Sequence, residues 1–417
     1  MKFQFLCFLI TLAASSRLIA QELPQSDSTK VLEDVIVKAY ASDRPQSEVP
    51  AAIAVIKESD LNRFGNVSLL PAANSVPGVR MEERSPGSYR FSIRGSTLRS
   101  PFGVRNVKFY WNGLPMTDGS GNTYLNLFDF NAIGSMEIIK GPGASLYGAG
   151  TGGVVLLQAP GKSPFNVQYV VGSYGLSKIQ GGGTLLSSKK FQLDLRLGSQ
   201  HADGYRQQTK MDRQSAQLDW KLSLSPKSFL SGTTFSTDLY YQTPGGLTEA
   251  QYEQDARQAR PDSSPTSPGA VKQQASVTNR TGYAGVSFDH QWNDQWSTRI
   301  GMFGSITHFT NPSIRNYEIR KEENWGGRTD TQYRFEQSTW KGKITIGAEY
   351  QHFFSPVTDY DNLSGVQGNV QTDDVLGSQL FLGFAQGEFD LPKNFYLTVG
   401  GSANYVNYSF LRKSPAP

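Results

Sequence analysis

MEIIKGPGASLYGAGTGGVVLL, residues 136–157, is the stretch on which the fold turns. A short apolar strand, Met136 to Ile139, runs into glycines at 141, 143, 148, 150, 152 and 153, and a second strand, Val154 to Leu157, follows at once. Glycines at this density let a backbone turn sharply and approach other backbone closely. Gly148, Gly150 and Gly153 have the GxGxxG spacing of a dinucleotide site, but that fingerprint works only where it opens a helix whose N-terminus meets the pyrophosphate. Here a β-branched strand follows, and no Asp or Glu lies between Gly153 and Asp194 to hold a ribose. The glycines therefore read as close packing between strands.

Upstream, further short signatures stand in order. Val76-Pro77-Gly78-Val79 and Phe91-Ser92-Ile93-Arg94-Gly95 precede Tyr110-Trp111-Asn112-Gly113-Leu114-Pro115, and the glycine stretch itself reads Lys140-Gly141-Pro142-Gly143-Ala144-Ser145, Leu146-Tyr147-Gly148, then Gly152-Gly153-Val154. Together these resemble the plug domain of TonB-dependent outer-membrane receptors of the siderophore-receptor kind. Lys140 stands where the family usually has Arg, which keeps the charge but loses the bidentate fork, and Asn112 stands for the usual Asp. The resemblance marks Arg94, Gly95, Lys140, Gly141, Pro142, Tyr147, Gly148, Gly152 and Gly153 as plug-motif residues. It is strong to about Gln158 and architectural beyond.

Before the plug, Met1 to Ala20 has one early lysine, an apolar run from Phe3 to Ala14 and small residues near Ala20, the pattern of a secretory signal peptide. Cys7, the one cysteine, lies inside that run, so the mature chain has no disulfide or cysteine metal site. Loss of Lys2 and Arg17 with the signal peptide takes the formal charge from +4 to +2, too little for a nucleic-acid footprint. Residues 21–50 form a polar periplasmic leader. Within it Val31 to Ala39 is a β-prone patch, set off from the rest by the proline-bearing, charged Ala41 to Pro50. Such a tethered segment can add a strand to another protein's sheet edge. It resembles the TonB box, placed at Glu33, Asp34, Val35, Ile36 and Val37.

Residues 51–160 read as a small α/β plug: a strand at Ala52 to Ile56, a helix from Asp60 to Phe64 capped by Ser59, a second helix near Leu69 to Asn74, and strands at Val79 to Glu83, Phe91 to Arg94 and Val107 to Tyr110. Two polar, glycine-bearing loops, Ser96 to Asn106 and Met116 to Tyr124, leave this scaffold as binding loops do. Exposed arginine there can pair with the carboxylates of an anionic chelate. Arg99, Arg105, Asp118, Asn122 and Tyr124 are accordingly the candidate ligand-binding residues. Arg94, Glu137 and Lys140 could face charges on a barrel wall, or equally be solvated or paired within the plug.

From Phe165 the period becomes two, as in Phe191, Leu193, Leu195 and Leu197 alternating with Gln192, Asp194 and Arg196. Eleven strands follow, near 165–173, 176–187, 190–201, 212–224, 228–242, 276–292, 295–309, 325–337, 340–354, 377–391 and 394–410. Short links at Ser188-Lys189, Ser225 to Lys227, Asn293-Asp294, Ser338-Thr339 and Pro392-Lys393 alternate with links at 202–211, 243–275, 310–324 and 355–376, all long; the first link, Tyr174-Gly175, is short as well. That alternation favours an outer-membrane barrel over a soluble sandwich. Aromatic pairs at strand ends, Tyr240-Tyr241, Trp292 with Trp296, Phe353-Phe354 and Phe395-Tyr396, suit interfacial girdles. The predicted fold is mainly β: an α/β plug followed, over 161–417, by antiparallel transmembrane strands amounting to about half of a barrel of about 22 strands. The chain is expected to be the N-terminal portion of a longer protein, with roughly 250 further residues needed to close the wall.

No GxSxG, no HExxH and no paired histidines are present, so an enzyme is not expected. The Asn-x-Ser/Thr triplets at Asn66, Asn279, Asn362 and Asn407 carry no meaning in a bacterial protein. The resemblance implies an importer in the outer membrane of a Gram-negative bacterium, driven through the TonB complex by the inner-membrane proton gradient. Its implied cargo is a ferric siderophore first, with cobalamin, other metal chelates or glycans behind. No cofactor is expected to be bound by the protein itself, and iron enters only within a transported chelate. Expected partners are TonB, outer-membrane lipid and the small-molecule ligand. The alternative is a surface receptor, adhesin or signalling protein that reuses a plugged barrel without transport.

Overall fold

The computed structural model describes residues 36–37, 44–49, 51–63, 65, 67–96, 103–141, 143–150, 152–264 and 267–414. The leader contributes β1 (Ile36–Val37) and β2 (Arg44–Pro45), paired antiparallel, Ile36 opposite Pro45 and Val37 opposite Arg44. The expected signal peptide and Glu33, Asp34 and Val35 of the expected TonB box lie outside the described residues.

The plug is built from β3 (Ile53–Lys57), α1 (Glu58–Arg63), α2 (Leu70–Asn74), the hairpin β4 (Val79–Glu83) and β5 (Tyr89–Ile93), then β6 (Val107–Trp111), β7 (Leu114–Pro115), β8 (Ser135–Lys140), α3 (Ala144–Tyr147) and β9 (Gly153–Gln158). Its main sheet runs β3-β8-β9-β6-β7, with β6 and β9 parallel and the other pairs antiparallel. α1 begins at Glu58, so Ser59 lies inside it and does not cap it; the Asp60 carboxylate accepts the Lys57 backbone N–H instead, at 2.9 Å. The Asn112-Gly113 turn joins β6 to β7 with φ of 47° and 83°, the left-handed pair that a two-residue hairpin demands. Within the opening stretch, Gly153 starts a strand at φ 138°, where a Cβ would stand 2.3 Å from the Ile139 carbonyl oxygen. The glycines are there for backbone contact between β8 and β9. The single turn α3 between them is absent from the sequence reading, since four residues are too few to show a helical period.

Eleven strands then form one antiparallel sheet in chain order: β10 (Asn166–Val171), β11 (Ser177–Ser187), β12 (Phe191–Ala202), β13 (Met211–Ser225), β14 (Ser228–Gln242), β15 (Ser276–Gln291), β16 (Trp296–Pro312), β17 (Asn316–Glu336), β18 (Lys341–Leu363), β19 (Val366–Leu391) and β20 (Phe395–Ser414). β10 and β20 are its two edges and do not pair with each other. The strand number matches the sequence reading, but two of the four links read as long are strand. Residues 316–324, 355–363 and 366–376 extend β17, β18 and β19, leaving tight links at 313–315 and 364–365. Long and short links therefore do not alternate throughout.

The dyad faces are as expected along the lower strands, toward the end with the tight turns at 188–190, 226–227, 292–295, 337–340 and 392–394. Leu195, Leu197, Ile300, Met302, Ile344, Ile346 and Phe381 turn outward, and Asp194, Arg196, Asp219, Glu349 and Glu388 turn inward and are buried. Along the lower outer rim, Trp296, Tyr333, Phe335, Trp340 and Phe389 form an unbroken chain of ring contacts at 4.6 to 6.4 Å. Two aromatics assigned to girdles are elsewhere. Tyr241 and Phe353 are buried against the plug, because neighbours on a strand point to opposite faces. Among the described residues, no helix is long and apolar enough to cross a membrane.

Candidate functional site

The candidate site is the seam between the plug and the inner face of the sheet. Aromatic packing forms its floor: Trp111 stacks on Phe128 at 5.3 Å, Phe128 meets Phe235 at 5.4 Å, and Phe235 stacks on Tyr283 at 5.1 Å. Such ring pairs contribute about 0.5–1.5 kcal/mol each beyond area burial.

Three desolvated polar clusters fix the plug around that floor. In the first, Arg328 of β17 pairs with Glu349 of β18 at 2.7 Å and donates to the Leu146 carbonyl at 2.7 Å. The Tyr110 hydroxyl donates to the same carboxylate at 3.0 Å, and the guanidinium lies 4.6 Å to 5.4 Å from the rings of Phe384, Tyr110 and Tyr147. Burial pushes the Tyr110 hydroxyl well above its ordinary value, with the Glu349 charge adding to it, so it stays a donor. In the second, Lys178 of β11 is fully buried and meets Asp129 of the plug at 2.8 Å, while Arg213 of β13 donates to the Phe128 carbonyl at 2.9 Å. Burial alone would raise Asp129; Lys178 and Arg213 outweigh it and hold the carboxyl below its usual range. In the third, the Tyr124 hydroxyl donates to Glu322 of β17 at 2.8 Å.

The predicted ligand residues separate here. Arg105 is exposed, and Arg99 lies outside the described residues. Asp118 serves its own loop: one carboxylate oxygen accepts the Ser120 N–H at 2.8 Å, the Ser120 hydroxyl at 2.7 Å and the Asn122 N–H at 3.0 Å. Burial pushes its carboxyl up while those donors pull it down. Asn122 and Tyr124 are buried rather than presented to the outside, and both line a cavity of about 40 Å³ between the loop and the wall, with Asp118, Thr281, Glu322 and Asn324. A polar space of that size suits a few waters. Polarity in the sequence marked these residues, but could not say whether they met solvent or another polar wall.

Among the plug-motif residues, Arg94 sits at φ 51° and is exposed, its side chain beside Gly78 and Gly141 of the plug. Lys140 is half-buried and pairs its backbone N–H with Ala52, at 2.9 Å, and Glu137 is buried. Gly95 is exposed, Gly141 is in the left-handed region, and Pro142 lies outside the described residues. Tyr147 stands 4.9 Å from Tyr110. At Gly148 a Cβ would come 2.3 Å from Asn404 of β20, and at Gly152 it would come 2.3 Å from the Ser96 hydroxyl. These motifs thus serve close approach, to the wall at Gly148 and within the plug at Gly152. Sequence reasoning missed Lys178, Arg213, Arg328 and Glu349, whose inward phase was legible but whose partners on the plug, about 50 to 240 residues away in the chain, were not.

At the tight-turn end, Arg44 of β2 pairs with Asp390 and lies 3.6 Å from Glu388, both on β19, with the ring of Tyr396 at 6.0 Å. The leader therefore meets the wall at the rim that carries the aromatic chain. Among the described residues, no group of three His, Cys, Asp or Glu could hold a metal ion.

Residues 45–155 match the TonB-dependent receptor plug domain family. The chain is similar to the vitamin B12 transporter BtuB of Vibrio vulnificus, at 27% identity over 34% of this chain and 23% of that protein. It is also similar to the iron-regulated outer membrane virulence protein of Vibrio cholerae, at 33% identity over 31% of this chain and 20% of that one. Among solved structures, the unliganded ferric citrate transporter FecA superposes with a TM-score of 0.73 at 17% identity, covering 88% of this chain and 57% of that one. The matches thus span under a quarter of the curated relatives and somewhat over half of the solved one.

Proposed function

From a chain that carries a TonB-dependent receptor plug domain ahead of eleven antiparallel strands of outer-membrane-barrel type, we propose an outer-membrane importer of a scarce solute, coupled to the inner-membrane proton gradient through TonB. The observation that carries this reading is the plug's attachment: it is fixed to the inner face of the sheet by the buried Lys178–Asp129 ion pair and by the hydrogen bonds that Tyr110 and Leu146 make to the Arg328–Glu349 pair, and its leader emerges at the tight-turn rim. A plug so placed blocks a lumen, and a β-prone segment at that rim is where a periplasmic protein would add a strand. Residues 1–20 serve as the export signal, 21–50 as the leader with the TonB box, 51–160 as the plug and 161–417 as wall. The proposed cargo is a ferric siderophore or another metal chelate, in keeping with the relatives named for vitamin B12, iron regulation and ferric citrate. Iron is cargo here; no catalytic step and no resident cofactor are proposed. Of the plug residues, exposed Arg105 and neighbouring Arg99 are proposed to meet the chelate's carboxylates.

Replacing Ile36 with proline tests the coupling, because it removes a ladder N–H and restricts Val35. Energised uptake of a ferric chelate by the complete gene product should be abolished while binding at the outer face persists. Uptake at the normal rate would sink the TonB-box assignment.

A further inference from the structure

We propose that residues 243–264 and 267–275 form a fixed brace across the external ends of the strands from β12 to β19, and that Asn362 is the residue that positions it. A connection of this length is ordinarily open and mobile. This one is folded. α4 (Glu249–Gln254) is closed by a capping box in which the Thr248 hydroxyl accepts the Gln251 N–H and the Gln251 side chain accepts the Thr248 N–H. Ala259, Ala270 and Ala275 are buried together, and the chain returns on itself where Arg260 N–H meets Pro244 at 2.7 Å and Ala270 N–H meets Arg260 at 2.9 Å.

Both ends of the segment are fastened to neighbouring links. On one side Arg206, in the link between β12 and β13, donates to the carbonyls of Gln258 at 2.9 Å and Gly245 at 3.2 Å. On the other side Asn362, at the top of β18, gathers three links through one side chain. Its amide donates to the Gln273 carbonyl at 2.9 Å and the Ser313 carbonyl at 2.5 Å, and its oxygen accepts the Gly365 N–H at 2.7 Å. Its backbone N–H reaches Arg315 at 3.1 Å. Gln273 and Gln274 complete the join by accepting from and donating to the backbone of Ser364, both at 3.0 Å. Register shifts between Asp359 and Tyr360 and between Tyr360 and Asn362 interrupt the dyad here. Such irregularities re-aim a side chain, and they leave Asn362 buried at 6% exposure although its neighbours Leu363 and Ser364 are exposed.

The need for a brace follows from strand length. β18 and β19, Lys341–Leu363 and Val366–Leu391, run about 75 to 85 Å at ~3.3 Å per residue, whereas the apolar band of an outer-membrane wall is about 25 Å tall. Above that band no lipid presses on the outer face and the half-exposed residues 356–361 meet water on both sides. A ladder standing free of lipid and core frays; tying four links together holds the rim in one shape. On the importer reading, this makes the mouth a preformed opening rather than one gated by this loop.

The test is hydrogen exchange on the complete gene product in outer-membrane vesicles, with no ligand. Wild-type amides in 258–264 and 267–275 should be protected. Asn362→Ala, which strands the Gln273 and Ser313 carbonyls and the Gly365 N–H, should raise their exchange about tenfold or more. Asn362→Asp should do the same, since it keeps the shape and loses both donors. Adding Gln274→Cys and Ser364→Cys to Asn362→Ala should restore protection when oxidised and lose it on reduction, a rescue that a general folding defect would not show. If Asn362→Ala also unprotects the lower halves of β17 to β19, Gln274→Ala provides the milder local cut, with raised exchange expected in 258–264 and 267–275 alone. Unprotected amides in the wild type, or unchanged protection in both Asn362→Ala and Asn362→Asp, would overturn the brace. No arm uses transport, so a failure of uptake would overturn the proposed function and leave this result standing.

Discussion

The lower and upper parts of the same strands live in different surroundings. Low on β18, outward Ile344 and Ile346 stand on the face expected to meet lipid, and inward Glu349 meets Arg328 and the plug. High on the same strand, Asp359 and Asp361 are half-exposed and satisfied by Thr372 and Gln371 on the neighbouring strand, at 3.4 and 2.8 Å. The strand itself runs through both, and only its upper part carries register shifts. On the importer reading, what differs is the solvent on each face: two unlike media force a period of two, while water on both sides leaves side-chain chemistry free. Strand structure is therefore not the same thing as strand pattern.

The sharpest way to break this comparison is from the inside. Glu349→Ala would leave the Arg328 guanidinium buried without its carboxylate, which costs about 3–5 kcal/mol, whereas Asp361→Ala, high on the strand, should change stability by no more than about 0.5 kcal/mol. Denaturant midpoints of the refolded complete gene product in lipid vesicles measure both. Equal effects would mean that the upper and lower inner faces are not distinct.

From the outside the contrast is somewhat smaller. Ile346→Arg should cost about 2–4 kcal/mol if it lies near the bilayer midplane. Val370→Arg on β19, above the apolar band, should fall within about 0.5 kcal/mol. Heat-modifiability and yield of inserted protein report the difference, and an arginine tolerated at position 346 would move the band elsewhere.

The plug anchors add a pH dependence. Asp129 is held below the ordinary carboxylate range, so its contribution is full above the unfolded value near ~4 and is lost as pH falls through its lower folded value. Plug docking, followed by protease cleavage of the plug, should persist through mild acid and weaken only below that range. Asp129→Asn should remove the acid dependence while weakening docking at neutral pH. A smaller effect is expected at the rim, where Arg44→Ala should loosen the leader by about 0–1 kcal/mol, given that Arg44 is only partly buried. Spin-label mobility at position 37 would read it, and unchanged mobility would show that β1 and β2 hold without the wall.

Much of the architecture was legible in residue order. The plug signatures, the strand count and the faces of the lower strands follow from glycine spacing and period-two alternation, both local. β17 to β19 were read short because their upper parts carry no apolar phase: Glu318, Lys321, Asp359, Asp361 and Asp373 look like loop residues when only hydrophobicity is consulted. The ligand candidates rest on polarity, and polarity is shared by residues that face water and by Tyr124, whose hydroxyl is committed to Glu322. Asn362, which in the sequence is marked only by a chance triplet, holds three links together.

The sequence by itself determined an α/β plug with close-packed glycines, a leader with a strand-prone segment and a wall of eleven strands with one apolar face. Each rests on interactions among near neighbours, or on the contrast between two solvents, and both leave a period in the chain. Only the tertiary structure decided which inward charge meets which plug group, which loop polar atoms are buried, and how four external links are tied. Those pairings join residues far apart in sequence, with no period relating them, and become visible only once the strands lie side by side.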